Sequence, residues 1–128
     1  DAGTLYRALL EGVTYEMKYN IERLESFGIR FDRLKAAGGG ARSALWLQIK
    51  ADITGCPIVP LKTDEAGAVG AAMLAAVASG IFPSVDEALP HFVHEKEVIV
   101  PSQNHEIYRE RYERYKKARK MNLYEGVD

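Results

Sequence analysis

Three consecutive glycines, Gly38-Gly39-Gly40, follow a short apolar segment and precede a helical one, and this run does most to restrict the fold of the 128-residue chain. Glycine has no Cβ, so the backbone there can take positive φ and lie directly against a ligand or another segment. On the N-terminal side, Ile29, Phe31 and Leu34 mark residues 29–37 as extended. On the C-terminal side, Leu45, Ile49 and Ile53 recur at helical spacing across residues 43–54 and form the expected inner face, with Gly55 as the stop. Residues 56–61, Cys-Pro-Ile-Val-Pro-Leu, then read as a second strand, kept short or at an edge by Pro57 and Pro60. Strand, glycine turn, helix and strand in that order suggest a parallel pair joined by a helical crossover. The expected class is α/β.

Helices account for most of the rest. Leu5, Tyr6, Leu9, Leu10, Val13, Met17, Ile21 and Leu24 give residues 4–26 one apolar stripe, with Thr4 as N-cap and Gly28 as stop. A third helix, 65–79, is capped by Thr63 or Asp64 and carries Ala66, Gly67, Gly70, Ala71, Ala75 and Ala78. Glycine inside a helix costs about 1 kcal/mol relative to alanine, so its presence implies close approach by another backbone. Ser84 with Glu87 forms a capping box for a short helix that ends at Leu89, before Pro90. Residues 97–100 are expected to be extended, and a last helix starts at Ser102 or Asn104 and runs to Lys120, leaving a loose tail. Two short strands make a poor sheet by themselves, so further strands in a parent chain, or covering helices, are expected. The missing initiator Met and the immediate helical pattern read as a piece cut from something longer.

Composition narrows the functions. The length fits one domain, and folding should bury roughly two-thirds of the unfolded surface, enough for a core without disulfide or metal. Seventeen basic against eighteen acidic residues leave a net charge of −1, which calls for neither nucleic acid nor an anionic membrane. Residues 66–85 carry no charge but are mostly Ala and Gly, interrupted by Gly80 and Pro83, so a membrane span is not expected. The single cysteine, Cys56, cannot pair internally and reads as a small buried residue; a reducing, cytoplasmic setting follows.

The chemistry-bearing candidate is the glycine run. The helix behind it would aim free N–H groups and the positive end of its dipole at phosphate or ribose, and Ser43 on its first turn could hydrogen-bond base or ribose. The competing reading is a tight turn that serves close packing. Two familiar phosphate motifs fail. No Gly-Lys-Ser/Thr follows at P-loop spacing, and Ser43 occupies the third glycine position of the dinucleotide fingerprint. That fingerprint also wants an acid at the end of the next strand, where Pro60 and Leu61 stand. Asp1-Ala2-Gly3-Thr4 spells a phosphate hairpin but opens a helix, so capping is its expected role.

Tyr108, Tyr112 and Tyr115 sit among Arg109, Arg111, Arg114, Lys116, Lys117, Arg119 and Lys120, a pattern that could serve nucleic acid. Interleaved Glu106, Glu110 and Glu113 favour a solvated face with Glu110–Arg114 and Glu113–Lys117 pairs, and tyrosines packed inward. His91, His94 and His105 lack ligand spacing, and Asp52 reads as structural.

The segment 38–57, Gly-Gly-Gly-Ala-Arg-Ser-Ala-Leu-Trp-Leu-Gln-Ile-Lys-Ala-Asp-Ile-Thr-Gly-Cys-Pro, resembles the adenosine-motif segment of FGGY-family carbohydrate kinases. Residues 64–72, Asp-Glu-Ala-Gly-Ala-Val-Gly-Ala-Ala, are similar to that family's Glu-x-x-x-x-Gly-Ala-Ala stretch, and residues 5–12 resemble its Arg-Ala-x-x-Glu-Gly helix. The Tyr-rich last helix matches the usual chain end. Gly-Gly-Gly-Ala-x-Ser-x-x-Trp resembles the xylulokinase-like members more than glycerol kinases, where Asn is usual at the adenine-contacting position.

The resemblance implies a helix-rich fragment of a ribonuclease-H-like, actin-like ATPase lobe with few short parallel strands. Residues 1–128 would be a single unit, the C-terminal portion of the second lobe. The parent would use ATP and Mg2+ to phosphorylate a ketose such as xylulose, with lobe closure over the nucleotide. By position, Gly38, Gly39 and Gly40 would lie against the adenosine and α-phosphate, Ser43 near the adenine, and Ala41 in the same turn. No catalytic or metal-binding residue carries over, so the chain alone is expected to be inactive. Expected partners are ATP, a sugar, the remaining kinase lobe and a second copy in a homodimer. The alternatives are a kinase for ribulose, gluconate or glycerol, or a non-catalytic binding or interaction module.

Overall fold

The computed structural model describes residues 1–63 and 65–124, with side chains as far as Met121; Asp64, the alternative cap of the third helix, and residues 125–128 lie outside the described residues. In chain order the elements are α1 (Ala2–Ser26), β1 (Leu34–Ala36), a 3-10 turn (Gly39–Arg42), α2 (Ala44–Thr54), β2 (Ile58–Pro60), α3 (Ala66–Ala78), α4 (Val85–Phe92) and α5 (His105–Tyr124). β1 and β2 pair in parallel, with Leu34 opposite Ile58 and Ala36 opposite Pro60, and α2 is the crossover between them. Residues 97–100 add less than a strand: Ile99 bridges Ile58 in antiparallel fashion on the other side of β2.

α2 positions everything else, because it is buried on two faces. Ile49 and Ile53 join Leu10 and Tyr15 of α1 and Tyr108 and Tyr112 of α5 in one core. Leu47 and Ala51 face the strands and join Ile58 in a second. A helix apolar on more than one side is a helix packed on more than one side. This corrects the single inner face expected from Leu45, Ile49 and Ile53: Leu45 is half exposed, and Leu47 takes the buried place.

Several boundaries also move. α1 begins earlier than expected, because Asp1 rather than Thr4 is its cap and its Oδ1 accepts from Thr4 N at 2.8 Å. Only Leu34–Ala36 of the extended segment pairs as strand. α4 runs through Pro90 to Phe92, its last turn held by Phe82, whose ring centroid lies 5.0 Å from that of His91 and 6.1 Å from that of Phe92. Ser84 caps that helix as expected, accepting from Glu87 N. α5 continues to Tyr124, so residues 121–124 are helix rather than loose tail. α3 spans Ala66–Ala78 with Glu65 at its cap position and no side-chain cap bond, so Thr63 is not the cap; its Oγ1 instead accepts from Glu65 N just ahead of the helix. Gly67 and Gly70 have nothing within 4 Å of where a Cβ would stand, so the expected close backbone is not found among the described residues.

Candidate functional site

The glycine run sits where β1 hands over to α2. Gly38 takes φ +78 and ψ −167, a conformation that L side chains rarely adopt, and this turns the chain out of the strand. Its carbonyl then accepts from Ala41 N at 3.0 Å, closing the 3-10 turn. Ser43 is extended and caps α2, its Oγ accepting from Trp46 N at 3.2 Å. α2 therefore begins directly behind the glycines, with its unpaired N–H groups and positive dipole end at the turn.

Gly38, Gly39, Gly40, Ala41 and Ser43 share one turn, but they do different things. Space is open above Gly38 and Gly39, with no atom within 4 Å of either virtual Cβ, so bare backbone faces outward there. Gly40 instead meets the indole of Trp46, and a Cβ would stand 2.9 Å from its Cζ3. Ala41 is buried. Ser43 is half-buried, and its oxygen serves the helix cap. Packing thus explains Gly40 and Ala41, while Gly38 and Gly39 are left facing open space. Two depressions flank the turn. One of about 520 Å3 lies between Ala41 of the turn, Ala44 and Leu47 of α2, and residues 96–100. Another of about 330 Å3 lies between β1, Ile21 and Lys50.

Beneath the turn stands Trp46, named in the sequence only as part of the Gly-Gly-Gly-Ala-x-Ser-x-x-Trp pattern, together with Thr14 and Lys50, which the sequence reading did not single out. The Trp46 Nε1 donates to Thr14 Oγ1 at 3.2 Å, and the Thr14 hydroxyl donates to Leu10 O at 2.7 Å. The Lys50 ammonium lies 4.1 Å from the Trp46 ring centroid, and burial pulls its pKa below the usual lysine value. One signal for Thr14 was available: it is a polar residue on the same stripe as Leu10 and Met17.

The other candidates resolve as structure. Tyr108 and Tyr112 are buried, and the hydroxyls of Tyr108, Tyr112 and Tyr115 donate to Glu11, Glu22 and Glu16 of α1. Several basic side chains of α5 are engaged as well: Arg111 with Glu11, Arg114 with Glu110 and Arg119 with Glu16. Lys116, rather than Lys117, pairs with Glu113. Asp52, nearly fully buried, accepts from Ser102 N at 2.6 Å, Ser102 Oγ at 3.0 Å and Gln48 Nε2 at 2.9 Å, and so pins the turn before α5. Its carbonyl is 2.8 Å from His105 Nδ1. Cys56 is half-buried rather than buried, and its thiol pKa is pushed up chiefly by desolvation. Among the described residues no group of three or more His, Cys, Asp or Glu could hold a metal ion, and no helix is long and apolar enough to cross a membrane.

A family model described as the FGGY family of carbohydrate kinases, C-terminal domain, matches residues 1–79. The xylulose kinase of Staphylococcus epidermidis is 36% identical over 110 residues, 85% of this chain and 22% of that protein. Glycerol kinase 2 of Saccharolobus solfataricus is 38% identical over 118 residues, 91% of this chain and 23% of its own length. Among solved structures, the xylulose kinase of Rhodospirillum rubrum superposes with a TM-score of 0.76 at 32% identity, covering 92% of this chain and 24% of that one. The helix-rich α/β arrangement with two short parallel strands is thus one found within the actin-like fold of sugar kinases. The chain spans less than a quarter of the length of these relatives.

Proposed function

This chain belongs to the FGGY family of carbohydrate kinases, matching its C-terminal domain, and from that premise we propose that its glycine turn is the adenosine-side wall of an ATP site. Residues 1–128 would form one unit, the last part of the second lobe of a kinase that transfers the γ-phosphate of ATP to a ketose such as xylulose. Gly38, Gly39 and Gly40 would lie along the adenosine and α-phosphate, with Ala41 in the same turn and Ser43 near the adenine. The observation that carries this reading is the open backbone at Gly38 and Gly39, immediately ahead of the α2 N-terminus.

The chemistry assigned to the chain is positional. Phosphoryl transfer depends on in-line geometry and on stabilising charge at the transferring group. Residues 38–43 would fix the nucleoside end of the donor, so that closure of a second lobe sets the γ-phosphate against the sugar hydroxyl. Mg2+ would neutralise charge on the phosphates, and the described residues offer no cluster of three or more His, Cys, Asp or Glu to hold it.

Gly39 gives the sharpest test, because its Cβ position is empty and its φ is not in the left-handed region. Gly39→Val should leave the thermal melt nearly unchanged while abolishing the response of the amides of residues 38–43 to ATP. In a kinase containing this domain it should raise the KM for ATP at least about tenfold, the equivalent of roughly 1.4 kcal/mol. Unchanged ATP binding by Gly39→Val would favour the purely structural reading of the glycines.

The sugar is open to a second reading, because relatives named for xylulose and for glycerol match at similar identity. Ser43 does not decide between them, since its cap role is one that Ser and Asn perform equally well. Turnover of xylulose, ribulose, gluconate and glycerol by a protein containing this domain would rank them.

A further inference from the structure

We propose that Trp46 is a positioning residue for the glycine turn. Its indole, tethered to Thr14 on α1, holds Gly39–Arg42 in the shape that presents open backbone to a nucleotide. The proposal rests on the nucleotide reading above and adds to it the device that sets the turn's geometry.

Trp46 touches the turn at both ends. Its backbone N–H donates to Ser43 Oγ, which fixes the exit into α2. Its ring lies under Gly40, where a Cβ would meet Cζ3 at 2.9 Å and Cε3 at 3.3 Å. No methyl group fits between them, so the approach of the turn to α2 at Gly40 is limited by the indole.

The ring in turn has little freedom. Thr14 is 1% exposed, and its hydroxyl proton goes to Leu10 O, which leaves a lone pair directed at Trp46 Nε1. Trp46 is partly buried, and turning its N–H away from Thr14 would leave the fully buried Thr14 oxygen one partner short, so the bond favours this orientation. The Lys50 ammonium covers the ring face and stands 3.6 Å from the virtual Gly40 Cβ. Filling the space between α1 and α2 would require only a large apolar side chain. The Nε1 bond to Thr14 is what filling does not require, and it ties the position of α1 to the shape of the turn.

The test uses the 128-residue chain, labelled for amide and indole N–H signals, with ADP as the probe. Thr14→Val removes the acceptor and keeps the shape, and Thr14→Ser keeps the hydroxyl. In the nucleotide-free protein, Thr14→Val should move the indole N–H signal and the amides of Gly39–Arg42, and Thr14→Ser should leave them near wild type. ADP affinity should fall about fivefold in Thr14→Val, the equivalent of one neutral hydrogen bond, and be retained in Thr14→Ser. Trp46→Phe, which keeps a ring near Gly40 but has no N–H, should reproduce the moved Gly39–Arg42 amides and the loss of ADP affinity, and serves if Thr14→Val does not fold. Unmoved Gly39–Arg42 amides in the nucleotide-free variants would overturn the proposal, as would moved amides with wild-type ADP affinity. If wild type itself ignores ADP, the nucleotide reading falls, and with it the proposed role. The nucleotide-free shifts then report only whether Trp46 shapes the turn.

Discussion

Gly38 and Gly55 both sit at positive φ, yet they answer to different neighbours. Gly55 closes α2 at φ +73, and a Cβ there would stand 2.7 Å from His105 Cε1. Gly38 sits elsewhere in backbone space, at ψ −167, a region nearly closed to any residue with a Cβ, and has nothing within 4 Å of its Cβ position. Gly55→Ala should therefore cost about 2–3 kcal/mol in a urea melt, combining left-handed strain with displacement of His105, and Gly38→Ala should cost about 1–3 kcal/mol from backbone strain alone. In a His105→Ala background the Gly55→Ala loss should shrink and the Gly38→Ala loss should not; an unchanged Gly55→Ala loss would mean that His105 yields freely. At this scale the glycines were legible because turn chemistry is local: a helix stop and a strand exit each need a residue tolerant of positive φ. The Trp46–Thr14 bond was not legible, because its partners are 32 positions apart and only the packing of α1 on α2 joins them.

Between elements, α1 and α5 are held together by tyrosine hydroxyls and guanidinium groups aimed at glutamates. Tyr15 stacks against Tyr112 and Tyr115, with centroids 6.1 and 5.3 Å away, and burial pushes its pKa up to about 12. Glu16 takes Arg119 through Nε at 3.0 Å and Nη2 at 3.1 Å, and it also accepts from the Tyr115 hydroxyl. Arg119 first, and Tyr115 second, hold the Glu16 carboxyl below its ordinary value of 4.5. A carboxylate whose pKa is depressed in the fold adds stability above its unfolded value, and that stability is lost as pH falls through the folded value. Glu16→Gln should thus lower Tm at pH 7, with the difference from wild type closing below about pH 4.5. The shift should be small, because the Glu16 side chain is 42% exposed. A pH-independent difference would show that packing, not charge, is what Glu16 supplies. Helical periodicity made these elements legible, and interleaved charge made the paired face of α5 legible. The double burial of α2 was not, because a stripe count assigns one face to each helix.

Over the whole molecule, the apolar pattern of α1 exceeds what the chain covers. Leu5, Leu9 and Val13 are 65%, 62% and 60% exposed, and in α3 Ala76 alone is buried among the described residues. Periodicity reports which face is apolar but not which partner covers it, so the stripe was legible and its exposure was not. If the glycine turn is one wall of an ATP site, then with under a quarter of its relatives' length the chain should not phosphorylate xylulose or glycerol in a coupled ATP assay. Sugar-dependent turnover above the ATP blank would contradict the one-wall reading. The strands were legible as a parallel pair, because Pro57, Pro60 and the crossover length leave few alternatives. The two cores carry a consequence for how the chain comes apart. Both take residues from α2, whereas neither takes any from α3 or α4. Local opening tends to follow such units of shared contact. The α3–α4 pair should therefore detach while the rest stays closed, but neither core can open without α2, so the glycine turn and the helices behind it should come apart as a single cooperative body.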